Sequence, residues 1–128
     1  MKEAIKELCD SYRYAEELMF RFEVMQYEDK AIDKKVETNF FRVLQELITN
    51  SMKHAAASQI SIRLWLTSKE LRLEYRDNGK GFDSKTLNSK LGLGMQNIES
   101  RMAMVKAKFK IESMPNQGVF ATLNYMFP

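Results

Sequence analysis

All five glycines of this 128-residue chain, Gly79, Gly81, Gly92, Gly94 and Gly118, lie in its second half, and four of them bracket one short polar segment. Glycine serves where a backbone must turn through conformations closed to side chains or pass close to something else. The chain before Gly79 is therefore free to build uninterrupted regular elements, and the stretch from 79 to 94 is built to bend. Pro115 and Pro128 are the only prolines, and no repeat, low-complexity tract or Ser/Gly-rich linker marks an internal boundary. With 45% hydrophobic and 29% charged residues, the composition suits one globular domain with a core of its own, and neither a disordered tail nor a multidomain enzyme.

The hydrophobic spacing divides the chain into eight elements. Ile5, Leu8, Cys9, Tyr12 and Ala15 follow helical spacing from Lys2 to about Glu17. Phe20, Phe22 and Val24 alternate with Arg21, Glu23 and Met25, as in a half-buried strand. A long helix is expected from about Lys34 to Ala56, with a stripe of Phe40, Leu44, Leu47, Ile48, Ser51 and Ala55. Alternation returns at Ile60, Ile62, Leu64 and Leu66 and again at Leu71, Leu73 and Tyr75, an antiparallel pair. One step further along the second strand, Asp77 falls on the same face, so a carboxylate is aimed at the buried layer. After the polar stretch from Asp83 to Lys90, Met95, Ile98, Met102 and Val105 mark a third helix starting just past Gly94. Phe109 and Ile111, then Val119, Ala121, Leu123 and Tyr125, close the chain as two strands around a turn at Pro115 to Gly118. The expected class is α+β: a two-layer α/β sandwich with a mixed, mostly antiparallel sheet carrying three helices on one face.

Charge and rare residues narrow the function classes. Twenty Lys and Arg against 17 Asp and Glu leave a net charge of +3. The charges are interspersed, which does not point to nucleic acid. Apolar runs are broken by charge within a few residues, and Met1 to Asp10 carries acidic residues, so neither a membrane span nor a secretory signal is read and a cytoplasmic location is expected. Cys9 has no second cysteine to pair with and reads as a buried helix thiol, and the lone His54 leaves a multi-histidine metal site without ligands.

Three segments could carry chemistry. Glu46, Asn50, Lys53 and His54 fall within about a third of the circumference of the second helix. A solvated polar face gives the same pattern, but Asn is a mediocre helix-interior residue because its side chain competes for backbone hydrogen bonds. A neutral oxygen near a lysine suits a magnesium ion bridging nucleotide phosphates, an ion that takes few protein ligands. Asp77-Asn78-Gly79-Lys80-Gly81-Phe82 ends a strand. It reads either as a tight turn or as a loop passing close to a flat ligand, with the inward carboxylate accepting from an exocyclic amine such as adenine's. Gly92-Leu93-Gly94 precedes the third helix, where exposed backbone N–H groups favour a phosphate, although a flexible helix entry would look alike.

Together, in this order and spacing, the segments resemble the N box (Gln45 to Ala55), G1 box (Asp77 to Phe82) and G2 box (Gly92 to Arg101) of the GHKL superfamily, the Bergerat-fold ATP-binding domain of sensor histidine kinases and gyrase-type topoisomerases. The Gln-Glu and Lys-His-Ala wording and the short lid from Asp83 to Leu91 look most like kinases coupled to NarL/LuxR-type response regulators. The resemblance covers nearly all of the chain from about Leu18. It implies one ATP-binding catalytic domain over residues 1–128, with 1–17 as its first helix or the end of a connecting helix. It implies ATP and Mg2+ as ligands, with Asn50 holding the metal and Glu46 orienting its water shell or a nucleophile. Lys53 and His54 would neutralise phosphate charge, Asp77 would receive the adenine amine with Gly79, Gly81 and Phe82 alongside, and Gly92, Leu93 and Gly94 would hinge the lid. The family's closing strand commonly carries Gly-Thr. Here Gly118 is followed by Val119, so the hydroxyl that assists adenine binding is either missing or supplied from elsewhere, with Thr122 as the candidate. The implied activity is donation of the γ-phosphoryl group to a histidine on dimerisation helices of a homodimeric parent kinase, and thence to a response regulator, with the isolated domain monomeric and hardly labelling itself. An anti-sigma-factor-like serine kinase, or an interaction module without nucleotide, is the alternative.

Overall fold

The computed structural model describes residues 1–16, 18–53, 56–81, 94–113 and 115–128. The elements are α1 (Lys2–Glu16), β1 (Met19–Tyr27), α2 (Lys34–Lys53), β2 (Gln59–Leu66), β3 (Glu70–Asp77), α3 (Met95–Met104), β4 (Lys108–Ser113) and β5 (Val119–Met126). The five strands form one sheet in the order β1-β2-β3-β5-β4. Only β1 and β2 run parallel; the other three pairings are antiparallel. Parallel neighbours cannot be joined by a tight turn, and α2 is the crossover that returns the chain from the far end of β1 to the start of β2.

Asp33 starts that crossover helix by accepting the Lys35 N–H on Oδ1 at 2.8 Å, satisfying a donor the first turn would otherwise leave orphaned. The buried stripe of α2 contains Phe40, Leu44, Leu47, Ile48 and Ser51, as the spacing requires, and also Val36 and Val43. It lies over the strand faces made by Ile60, Ile62, Leu64 and Leu66, by Leu71, Leu73 and Tyr75, and by Ala121 and Leu123. Ile5, Leu8 and Cys9 of α1 and Ile98 and Met102 of α3 enter the same cluster. The alternation of β2, β3 and β5 is therefore one face turned to three helices.

The first strand departs from the expected pattern. Phe20 is buried, but Val24 is 41% exposed, because the β1–β2 register shifts between Val24 and Gln26 and β1 is an edge strand.

One end of the sheet positions the site. Asp77, the last residue of β3, pairs with Ile60 on one side and Val119 on the other. Beyond it, Asn78 holds the entry to β2: its Oδ1 accepts from Ser58 N at 3.0 Å and Gln59 N at 2.9 Å, and its Nδ2 donates to Ser58 Oγ at 3.0 Å. Asn78 thus extends the β2–β3 ladder by side chain. Asn78→Ala should lower stability by about 2 kcal/mol, the net worth of exposed bonds of this kind, read as an earlier urea midpoint with an unchanged slope. An unchanged midpoint would show that the clamp contributes nothing.

Candidate nucleotide site

Asp77 is 9% exposed and its carboxylate is almost fully engaged. Oδ1 accepts the backbone N–H of Gly79 at 3.0 Å and of Val119 at 3.1 Å. Oδ2 accepts from the hydroxyl of Ser51 on α2 at 2.5 Å. The Ser51 hydroxyl is also 2.5 Å from the Tyr75 phenol oxygen, which in turn lies 3.1 Å from the Leu47 carbonyl. Proton accounting sets the direction. An ionised carboxylate only accepts, so the Ser51 proton goes to Asp77, and the one Tyr75 proton is shared between the Leu47 carbonyl, which can only accept, and Ser51 Oγ. Burial pushes the Tyr75 phenol well above its ordinary value; the bond to Ser51 pulls it back, and the charge of Asp77 raises it further. Tyr75 is consequently a neutral donor at any working pH.

Ser51 follows Asn50, so a single bond joins the expected magnesium-holding segment to the expected adenine-binding one. Asn50 is 6% exposed and sits one turn beyond Glu46. Lys53, in the last turn of α2, is exposed. On the other side, Gly94 precedes α3 with φ +67°, and a Cβ there would overlap the Glu46 carboxylate. The left-handed backbone favours glycine at this position, and any side chain there would have to displace the Glu46 carboxylate. Arg42, Glu46, Thr49, Asn97 and Arg101 line a cleft of about 220 Å3 between α2 and α3.

The floor beneath Asp77 is equally tight. Gly118 is buried at φ +77°, and a Cβ on it would run into the Asp77 carbonyl oxygen. Gly81 is also left-handed, at φ +69°. The Lys80 carbonyl between them accepts from Asn116 N in the β4–β5 turn. Residues 78–81 after β3 are therefore tied to that turn.

The model of the family described as histidine kinase-, DNA gyrase B- and HSP90-like ATPase matches residues 35–127. The chain belongs to that ATPase family. Among curated proteins it is 29% identical to the sensor histidine kinase LiaS of Bacillus subtilis over 118 residues, which is 92% of this chain and 32% of that protein. It is 34% identical over 97 residues to the sensor protein VraS of Staphylococcus saprophyticus, covering 74% of this chain and 27% of that protein. The chain thus spans about a third or less of the length of these relatives. Among solved structures, the histidine kinase domain from the Erythrobacter litoralis EL346 blue-light activated histidine kinase superposes with a TM-score of 0.77 at 14% identity, over 96% of this chain and 59% of that one. The catalytic domain of histidine kinase ThkA gives 0.75 at 20% identity, over 97% of this chain and 90% of that one. At such identities these two likenesses speak for the fold, and the fold is that of histidine kinase catalytic domains.

Within this ATPase fold, Glu46, Asn50, Asp77, Gly79, Gly81 and Gly94 gather at one end of the sheet, on the helix side or at its rim. His54, Phe82, Gly92, Leu93 and the stretch 83–91 lie outside the described residues. Thr122 does not join the site. Val119, Ala121 and Leu123 of β5 turn to the core, so Thr122 projects from the opposite face, between Glu74 and Lys110. There it lines a groove with Arg72, Lys108 and Phe120. Strand alternation forbids it from reaching Asp77. What stands next to Asp77 in place of a threonine is the Val119 backbone N–H, and the hydroxyls beside the carboxylate come from Ser51 and Tyr75. Both lie in apolar stripes of the sequence, and each being the one hydroxyl of its stripe is the available signal.

Proposed function

We propose that this chain binds Mg-ATP and holds its γ-phosphoryl group for transfer to a histidine on dimerisation helices outside these residues, as part of a two-component sensor kinase. The observation that carries the reading is the state of Asp77. A carboxylate offers about four acceptor positions; three are taken, and the fourth, on Oδ2, remains for the amino group of an adenine. The sensor-kinase relatives support the wider context, and the partners are accordingly the phosphoacceptor helices of a homodimeric parent and, through them, a response regulator.

The donor set suits magnesium. Among the described residues no three His, Cys, Asp or Glu side chains converge on a metal site, which fits an ion that is held chiefly by phosphates and water with one or two protein oxygens. Asn50 would supply the amide oxygen and Glu46, one turn away, would orient a water. When bound, the ion neutralises phosphate charge. Lys53 at the end of α2 adds a second positive charge on that side, and Gly94 lets α3 begin close against Glu46 so that its N-terminal N–H groups face the same space. Catalysis of this type rests on positioning and charge neutralisation. No helix among the described residues is long and apolar enough to cross a membrane.

The test is a thermal melt with and without Mg-ATP. A ligand that binds only the folded chain at a hundred times its Kd stabilises by about 2.7 kcal/mol, so the midpoint should rise by several degrees. In Asn50→Ala the rise with Mg-ATP should shrink to that seen with ATP and a chelator. No rise at millimolar Mg-ATP would end the nucleotide reading; an undiminished rise in Asn50→Ala would remove Asn50 from the metal.

A further inference from the structure

The buried polar residues of the core, Asn39, Asn50, Ser51 and Asp77, do not all serve the same end. Asn39 serves the packing of α2 against α3: its Nδ2 donates to the Lys35 carbonyl and its Oδ1 accepts from Arg101. Ser51 and the Tyr75 hydroxyl lead to one place, the Oδ2 atom of Asp77. Buried hydroxyls are costly unless bonded, and Ala and Phe at these two positions would fill nearly the same space with no polar group to satisfy. The hydroxyls therefore do something that packing does not require.

The proton direction already derived, from Tyr75 to Ser51 to Asp77, shows what that is. The two backbone N–H bonds on Oδ1 pin one oxygen, yet leave Oδ2 able to swing about the remaining torsion. Ser51 stops that swing from the α2 side. Tyr75, fully buried and sharing its one proton between the Leu47 carbonyl and Ser51 Oγ, favours the Ser51 rotamer that donates to Asp77, because a hydroxyl that receives the phenol proton spends its own elsewhere. One lone pair of Oδ2 is left, with its direction set.

We propose that Ser51 and Tyr75 are positioning residues for base recognition, an ordered pair of hydroxyls that aims the last lone pair of Asp77 Oδ2 and makes the chain selective for purines bearing a 6-amino group. The proposal rests on the reading of Asp77 as the adenine acceptor. Neither residue touches the base; both act through Asp77.

The experiment compares Kd for ATP with Kd for purine riboside triphosphate, the same nucleotide without the amino group, by calorimetry with magnesium on the full chain. The wild type should prefer ATP by about thirtyfold, the worth of one hydrogen bond to a charged acceptor. Ser51→Ala should bring the preference below about threefold while the affinity for the amino-free nucleotide stays within about twofold of wild type. Tyr75→Phe, which keeps the ring and so the packing, should lie between the two. Equal weakening of both ligands in Ser51→Ala and Tyr75→Phe would reduce the hydroxyls to packing and overturn the proposal, as would an unchanged preference in both variants. A wild type that binds both nucleotides equally would instead refute the role of Asp77 itself, and the proposal with it, so the two failures are told apart by the wild-type ratio alone.

Discussion

Asp77→Asn should weaken Mg-ATP binding by about a hundredfold while leaving the chain folded. The substituted amide keeps an oxygen for the Gly79 and Val119 N–H groups that Asp77 Oδ1 now serves. Its NH2, however, replaces the oxygen that accepts from Ser51, and it points a donor at the place where the adenine amine brings its own. Loss of a hydrogen bond to a charged acceptor is worth about 1.5–3 kcal/mol, and a donor facing a donor lies at the upper end of that range. Titration calorimetry reads the affinity, and circular dichroism checks that the fold persists. A folded variant whose Kd stays within threefold of wild type would mean that Asp77 only staples the ends of β3, α2 and β5 together.

The largest stability effect is expected at Gly118. Gly118→Ala must hold an L-residue at φ +77° and place a methyl group against the Asp77 carbonyl oxygen. The left-handed backbone alone costs about 1–2 kcal/mol. The collision adds to it because Asp77 is paired on both sides, to Ile60 and to Val119, and cannot retreat. A total of about 3 kcal/mol corresponds to a fall in Tm of about 10 °C for a chain of this size. Relaxation would also draw the Val119 N–H away from Asp77 Oδ1, so ATP affinity should fall in the same variant even at temperatures where it is folded. A calorimetric midpoint within 2 °C of wild type would show that the turn absorbs a side chain without strain.

Much of this architecture is legible along the chain itself. Alternation through Leu71, Leu73 and Tyr75 places Asp77 inward, and the structure puts it there. The spacing of α2 places Asn50 one turn from Glu46, and Gly81 and Gly94, two of the glycines expected to turn the chain, are both left-handed. These readings succeed because the periods of helix and strand are properties of the backbone, repeated every few residues, and need no knowledge of what lies across the core.

Contacts between distant residues are another matter. That β1 pairs with β2 in parallel, and that Val119 brings its N–H to Asp77, depend on which strand neighbours which. The bonds from Ser51 to Tyr75 and Asp77 span 24 and 26 residues of sequence, and a serine or tyrosine inside an apolar stripe looks the same whether or not it meets a carboxylate. By itself the sequence determined the faces of the elements, the inward carboxylate and the family resemblance. Only the tertiary structure decided that Asp77 is held by two backbone N–H groups and a hydroxyl, and that Gly118 lies against its carbonyl. Register and close approach are set by the packing of whole elements against one another, and no local period records that.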